Sequence, residues 1–195
     1  MATVLIVGSA PCVYNDLYTA LQLRPDADVI AVKFSVVLVH APVAVTHHGE
    51  HAEPIKALHR QRWGDDVQVY APKKLFTAAQ RMFIDREWHE LAGVGGTSAW
   101  GAARMAKLMG AREIILCGCP LEPTAPGQPY HHPLVYEATK GHGIGNGRGE
   151  PWANERAVFG YRQFIQSDIE RGNAEGIVSM SGWTRKTLGA PHGIH

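Results

Sequence analysis

Short apolar runs that end in glycine alternate along this chain with stretches whose apolar residues recur every three to four positions. The first run, Thr3 to Val7, is apolar on both faces, which suits a central strand of a parallel sheet covered by helices. It stops at Gly8-Ser9-Ala10-Pro11, and a helix is expected over about 14–23 before Pro25 and Asp26 break the chain. A second strand is expected over 28–34. The segments VVLVHA (36–41) and VAVTHHGEH (43–51) hold a third strand between them, and the pattern leaves open which. A further strand at 67–70 and a short helix at 75–82 follow. Thr97 or Ser98 can cap a helix with an Ala-rich body, ended by Gly110, that can pack closely on a sheet. Glu113 to Cys117 then reads as a buried strand closed by Gly118. From Pro120 to Pro151 the periodicity disappears, and GHGIGNGRGEP contains five glycines, which predicts a long lid-like loop. A helix over about 154–171, with Val158, Tyr161, Phe164, Ile165 and Ile169 on one face, and a strand at 176–180 complete the series. The alternation predicts an α/β fold with right-handed crossovers.

Composition narrows the function classes. A chain of 195 residues is expected to form one domain over 1–195, with the lid-like insertion at about 120–151. Hydrophobic residues are 45%, charged residues 19% and the formal net charge is +1, so neither disorder nor polyanion binding is indicated and nucleic acid is not an expected partner. No apolar run reaches the length of a membrane span, and a cytoplasmic protein is expected. The three cysteines, Cys12, Cys117 and Cys119, lack the spacing of a disulfide framework and read as packing thiols in a reducing compartment.

The glycine turns carry the candidate chemistry. In open parallel sheets ligands bind beyond the strand carboxyl ends, where loop N–H groups and helix N-termini attract anions. Gly8 allows backbone to approach a phosphate, and the hydroxyls of Thr97 and Ser98 together with the Gly118 turn supply a second half of the same edge. On this basis Gly8→Val is expected to abolish nucleotide binding while leaving the fold intact. Ser98 is equally an N-cap, and Lys33 is either a solvated strand-end lysine or a phosphate contact. His47, His48, Glu50 and His51 are of zinc-ligand type, but no H-E-x-x-H pattern fixes a ligand set, and no metal site is assigned. Trp100 is expected to pack in the core rather than stack on a base.

Taken in order, LIVGSAP, the Thr97-Ser98 helix start, and MGAREIILCGCP resemble motifs of the superfamily of bacterial CMP-sialic acid sialyltransferases of glycosyltransferase family forty-two. Motility accessory proteins and 6-hydroxymethylpterin diphosphokinase-like proteins share them, and GIVSMSGWTRKTLGAP is similar to the closing segment of small bacterial and phage-encoded members. The resemblance implies a Rossmann-like, doubly wound, mainly parallel sheet with helices on both faces. It implies that Gly8, Ser9 and Ala10 face a nucleotide phosphate and ribose, that Thr97 and Ser98 touch the nucleotide or its sugar, and that Gly118 lies under base or ribose. Lys33 stands where the sialyltransferases commonly carry Asn, and Cys119-Pro120 where they often carry an acidic residue.

The implied activity is transfer from a CMP-sugar donor to a hydroxyl acceptor, with no cofactor. A lid histidine would act as general base, the candidates being His131, His132 and His142, with Tyr130 and Tyr136 supporting the departing phosphate. His142 is the nearest match when counted from the following helix. A pterin-type diphosphotransferase using ATP and Mg²⁺, with Asp16 or Glu122 as carboxylates, and a non-catalytic nucleotide-binding module are the alternatives. Whether the chain forms a homo-oligomer stays open.

Overall fold

In the computed structural model, residues 3–73, 76–91, 95–122, 130–140 and 155–194 are described. The apolar run at the N-terminus forms β1 (Thr3–Val7), followed by α1 (Val13–Leu23) and β2 (Asp28–Val32). Then come β3 (Val43–Val45), α2 (Ala52–Trp63), β4 (Gln68–Pro72), α3 (Ala78–Arg81) and β5 (Arg86–Trp88). The rest of the chain supplies α4 (Ser98–Leu108), β6 (Glu113–Cys117), α5 (Pro133–Thr139), α6 (Glu155–Glu170), β7 (Ile177–Ser179) and α7 (Gly182–Leu188). The strands pair in parallel in the order β5-β4-β3-β2-β1-β6-β7, giving a seven-stranded α/β sheet.

Strand side chains alternate between the faces, and β1 shows why its run had to be apolar throughout. Leu5 and Val7 pack with α1, α2 and α5 on one face, through Val13, Ala20, Ile55, Leu58 and Val135. Val4 and Ile6 pack on the other against Ala99, Ala102, Ala103 and Ala106 of α4 and Ile165 of α6. The small residues of α4 bring its axis close to the sheet, as expected. Trp100 is a core residue, 1% exposed, and its Nε1 donates to Asp168 on α6 at 2.7 Å. The same carboxylate accepts from Arg104 at 2.6 Å and Asn173 at 2.9 Å, so the buried charge between α4 and α6 is held by three donors.

The sheet order reverses beside β1: β2 lies on one side of it and β6 on the other. A crevice opens at such a reversal because the adjoining connections leave on opposite faces. Here α1 follows β1 on one face and α4 precedes β6 on the other.

Several local expectations are corrected. Strand β2 ends at Val32, and 33–37 turns into a 3₁₀ helix because Ser35 Oγ accepts from Val32 N at 2.8 Å and donates to the Val7 carbonyl at 2.6 Å. The third strand is 43–45, so VVLVHA is not a strand. Helix α2 and strand β5 were not expected; α2 buries only Ala52, Ile55, Leu58 and His59 among polar neighbours, a weak periodic signal. Within 120–151, residues 133–139 are helical, started by Pro133 at the first turn. Among the described residues no helix is long and apolar enough to cross a membrane.

Candidate functional site

The parallel strands deliver their carboxyl-terminal turns to one edge, and four of them wall a cavity of about 270 Å³. Gly8-Ser9-Ala10 after β1, Lys33-Phe34 after β2, His47-His48 after β3 and Gly118-Cys119 after β6 contribute, and the N-terminus of α4 adds Thr97 and Ser98. Every residue expected to contact a nucleotide therefore lines the same cavity. Tyr130, His131, Tyr161 and Ile165 cover it from the following segments.

The roles of the individual residues differ from the expectations. A Cβ on Gly8 would stand 2.5 Å from the Gly118 carbonyl oxygen and collide with Cys119 Sγ. Gly8 N also donates to Cys117 O at 2.8 Å, and Ala10 N to Gly118 O at 3.1 Å. Gly8 thus serves the close approach of two chain segments. Gly118 has φ +64, and a Cβ there would lie 2.8 Å from the Val13 Cβ. Thr97 is the α4 cap, its Oγ1 accepting from Trp100 N at 3.1 Å. Ser98 is not the cap; its buried hydroxyl accepts from His47 N at 3.2 Å and so fixes the β3 turn against α4. The His47 ring lies against Gly101, where any Cβ would collide with its Nε2.

Two non-glycine residues on the cavity wall adopt left-handed backbone, Lys33 at φ +52 and Leu121 at φ +51. This conformation costs an L-residue of this type about 1 kcal/mol and persists only where surrounding contacts impose it. For Lys33 the buried Ser35 bridge to β1 imposes it. For Leu121 the restraint is Arg162, whose Nε and Nη2 donate to the Leu121 carbonyl at 3.0 and 2.6 Å. Among the described residues that line the cavity, Lys33 is the one lysine or arginine. Its charge bears on His51 and on His131, so the ammonium lies within electrostatic reach of both.

Of the three expected histidines, the described structure brings one into the cavity. His131 Nδ1 and Ser9 Oγ share a 2.6 Å hydrogen bond, and His132 N donates to the Ser9 carbonyl at 2.6 Å, tying this segment to the β1 turn. The His132 side chain is instead the cap of α5, its Nδ1 accepting from Leu134 N at 3.2 Å, which occupies the lone pair a base would use. His142 lies outside the described residues. Burial, reinforced by the Lys33 charge, pushes His131 down to about 4. Burial first, then Lys33 and His48, push His51 down to about 4 as well.

These shifts set a pH dependence. The neutral rings are preferred in the folded chain, whereas unfolded histidine titrates near 6.5. Between pH 6.5 and 4 the unfolded chain binds more protons, so stability is full above about 6.5 and falls as pH drops towards 4. The urea midpoint should decline across that window, and His131→Gln, which can still bond Ser9, should flatten the decline. An unchanged slope in the variant would show that His131 titrates alike in both states.

Of the two carboxylates the diphosphotransferase alternative named, Glu122 lines the cavity and Asp16 does not. Asp16 is buried beneath the β6 turn, where burial raises its pKa while Ser181 Oγ, Gly118 N and Cys12 Sγ donate to it at 2.6, 2.8 and 3.5 Å. It braces three loops. Glu122 is engaged by Lys186 at 3.2 Å and Arg162 at 3.7 Å. The cysteines are free and pack as expected; burial raises Cys12 to about 11 and leaves it a thiol. Sequence reasoning missed Ser35, Tyr161 and the bracing role of Asp16. Ser35 had a local signal, a hydroxyl three residues beyond the strand end; the others depend on contacts distant in sequence.

No protein-family model matches this chain, and no curated protein matches it. Among solved structures it is similar to KGPDC from Streptococcus mutans, at 11% identity over 85% of this chain and 97% of that one, with a TM-score of 0.29. A likeness that low transfers neither fold nor function. The expected kinship with the sialyltransferase superfamily is corrected accordingly: no family model or curated relative joins the chain to that superfamily. The physical reason lies in the motifs. Gly8 and Gly118 satisfy packing of their own turns, and Thr97 caps its own helix, so these residues follow from a parallel β-turn-α architecture whatever its ligand.

Proposed function

We propose that the chain binds a nucleotide or a nucleotide-like phosphorylated ligand in the cavity at the reversal of strand order, in the manner of Rossmann-like, doubly wound domains. The observation that carries this reading is the convergence of Lys33, Ser9 and the N-terminus of α4 on one cavity that Phe34, Tyr130, Tyr161 and Ile165 also line. The first set suits an anion, through an ammonium, a hydroxyl and the positive end of a helix. The second suits the flat, weakly polar face of a base. A volume of about 270 Å³ limits the enclosed part to a small ligand.

The chemistry compatible with these groups is transfer from a nucleotide donor to a hydroxyl. Lys33 would offset charge on the departing phosphate. His131 is the candidate base. Neutral in the free protein, it can take a proton, and an anionic ligand beside it would raise its basicity. A binding-only module is the second reading, favoured by the hydrogen bond that already engages His131 with Ser9. Transfer of a diphosphate with Mg²⁺ is the weaker reading, because Asp16 lies under the turn and Glu122 is shared by two cations.

A thermal-shift panel of CMP, CDP, UDP, GDP and ATP, each with and without Mg²⁺, tests the reading. A ligand present at one hundred times its Kd stabilises the native state by about 2.7 kcal/mol, or about 5–10 °C in Tm for a chain of this size. At least one nucleotide is expected to reach that shift. No shift from any member at millimolar concentration would remove nucleotide binding. A shift without turnover of any donor would leave the binding module.

A further inference from the structure

Beside the cavity, between β3 and α2, the chain makes a single 3₁₀ turn, Gly49–His51, that carries side chains the nucleotide reading does not use. One ligand atom from each of His48, Glu50 and His51 lies within 4.8 Å of the others. The His48 and His51 rings are stacked with centroids 4.9 Å apart and planes 27° from parallel, and His48 Nδ1 is 3.1 Å from Glu50 Oε1. Two imidazoles and a carboxylate thus converge from four consecutive residues. His48 lines the cavity, and the His51 ring rests against Phe34, another cavity-lining residue, at 5.1 Å.

We propose that His48, Glu50 and His51 form a binding site for a divalent transition-metal ion, Zn²⁺ in the first instance, at the rim of the cavity. Two nitrogens and one oxygen make a donor set for borderline ions such as Zn²⁺ or Co²⁺ and a poor one for Mg²⁺ or Ca²⁺, which take oxygen. In a tetrahedral zinc site with bonds near 2.05 Å, ligand atoms stand about 3.4 Å apart. The 4.8 Å limit here closes to that spacing by rotation of His48 and Glu50, both exposed. Binding would replace the existing His48–Glu50 hydrogen bond. Three protein ligands leave a fourth position for water or another ligand, and the place of His48 in the cavity wall puts the ion beside the cavity. The site does not depend on the nucleotide reading.

A second cluster, His40, His59 and Asp65, meets the same distance limit, but none of its residues lines the cavity. His59 Nδ1 donates to the Asp65 carbonyl oxygen at 3.1 Å, which leaves the ring's lone pair on the buried Nε2. His40 Nε2 is 2.8 Å from the Asp65 carboxylate. This cluster closes the loop after α2 and provides the control.

The test is calorimetric titration of Zn²⁺ into chelator-treated, ligand-free protein, with Co²⁺ absorption as a report on geometry. One equivalent of Zn²⁺ should bind, and the Co²⁺ form should show the intense visible bands of four-coordination. Loss of a group that only supports a ligand costs 10- to 100-fold in affinity, so His48→Ala and His51→Ala should each cost about 100-fold or more. Glu50→Gln, at an exposed position that should not disturb folding, should also weaken binding, and His40→Ala should leave it unchanged. Absence of stoichiometric uptake would overturn the proposal, as would uptake insensitive to Glu50→Gln and His51→Ala, or uptake lost in His40→Ala.

Discussion

Gly8→Val should destabilise the protein by about 3 kcal/mol or more, lowering Tm by about 6–12 °C, whether or not any ligand is present. The reason is internal to the fold. The added Cβ would sit 2.5 Å from the Gly118 carbonyl oxygen and against Cys119 Sγ, at the junction of the two central strands, where neither neighbour is the free end of a flexible side chain. Relief would require β1 and β6 to separate, breaking the Gly8 N to Cys117 O and Ala10 N to Gly118 O hydrogen bonds. This reverses the expectation from sequence that the variant would fold and merely lose its ligand. Urea unfolding checks it: a midpoint equal to wild type would mean that the turn can open at no cost.

Replacing Lys33 by Asn should weaken nucleotide affinity by about 10- to 100-fold, the equivalent of one charge-assisted hydrogen bond of about 1.5–3 kcal/mol. Stability should not fall, since Asn tolerates the left-handed backbone that Lys33 holds at φ +52 better than lysine does. The separation of the two effects is what makes the variant informative. Loss of the ammonium should also let His131 and His51 rise towards the ordinary histidine range, because its charge is among the causes holding both down. Calorimetry with the nucleotide that gives the largest thermal shift measures the affinity. Equal affinity in the variant would return Lys33 to the role of a solvated strand-end lysine.

The parts of the molecule legible in the sequence are those whose physical cause is local. The apolar runs of β1, β2 and β6 specify buried parallel strands, and Thr97 followed by small apolar residues specifies α4 closely, because capping and burial act within a few residues. Helix α2 was illegible: it exposes most of its surface and buries few apolar side chains, so its face is set by the sheet rather than by its own periodicity. The membership of the cavity was legible because parallel strands deliver their carboxyl-terminal turns to one edge. The roles were not. Whether Gly8 meets a phosphate or a carbonyl, whether Ser98 caps a helix or holds His47, and which of His131 and His132 faces the cavity depend on pairings between positions far apart in the chain. The resemblance to the sialyltransferase superfamily failed for the same reason, since it rested on turn and cap residues that the architecture itself demands.

Amide hydrogen exchange with and without the best-binding nucleotide tests the central claim most directly, because it reports where the ligand lies without assuming a reaction. Bound ligand should slow exchange in the turns at 8–10, 33–34 and 118–122 and at 95–99 before and into α4, while the far edge at 84–90 stays unchanged. Protection confined to that far edge, or spread evenly over the sheet with none at these turns, would contradict the placement of the site at the reversal of strand order.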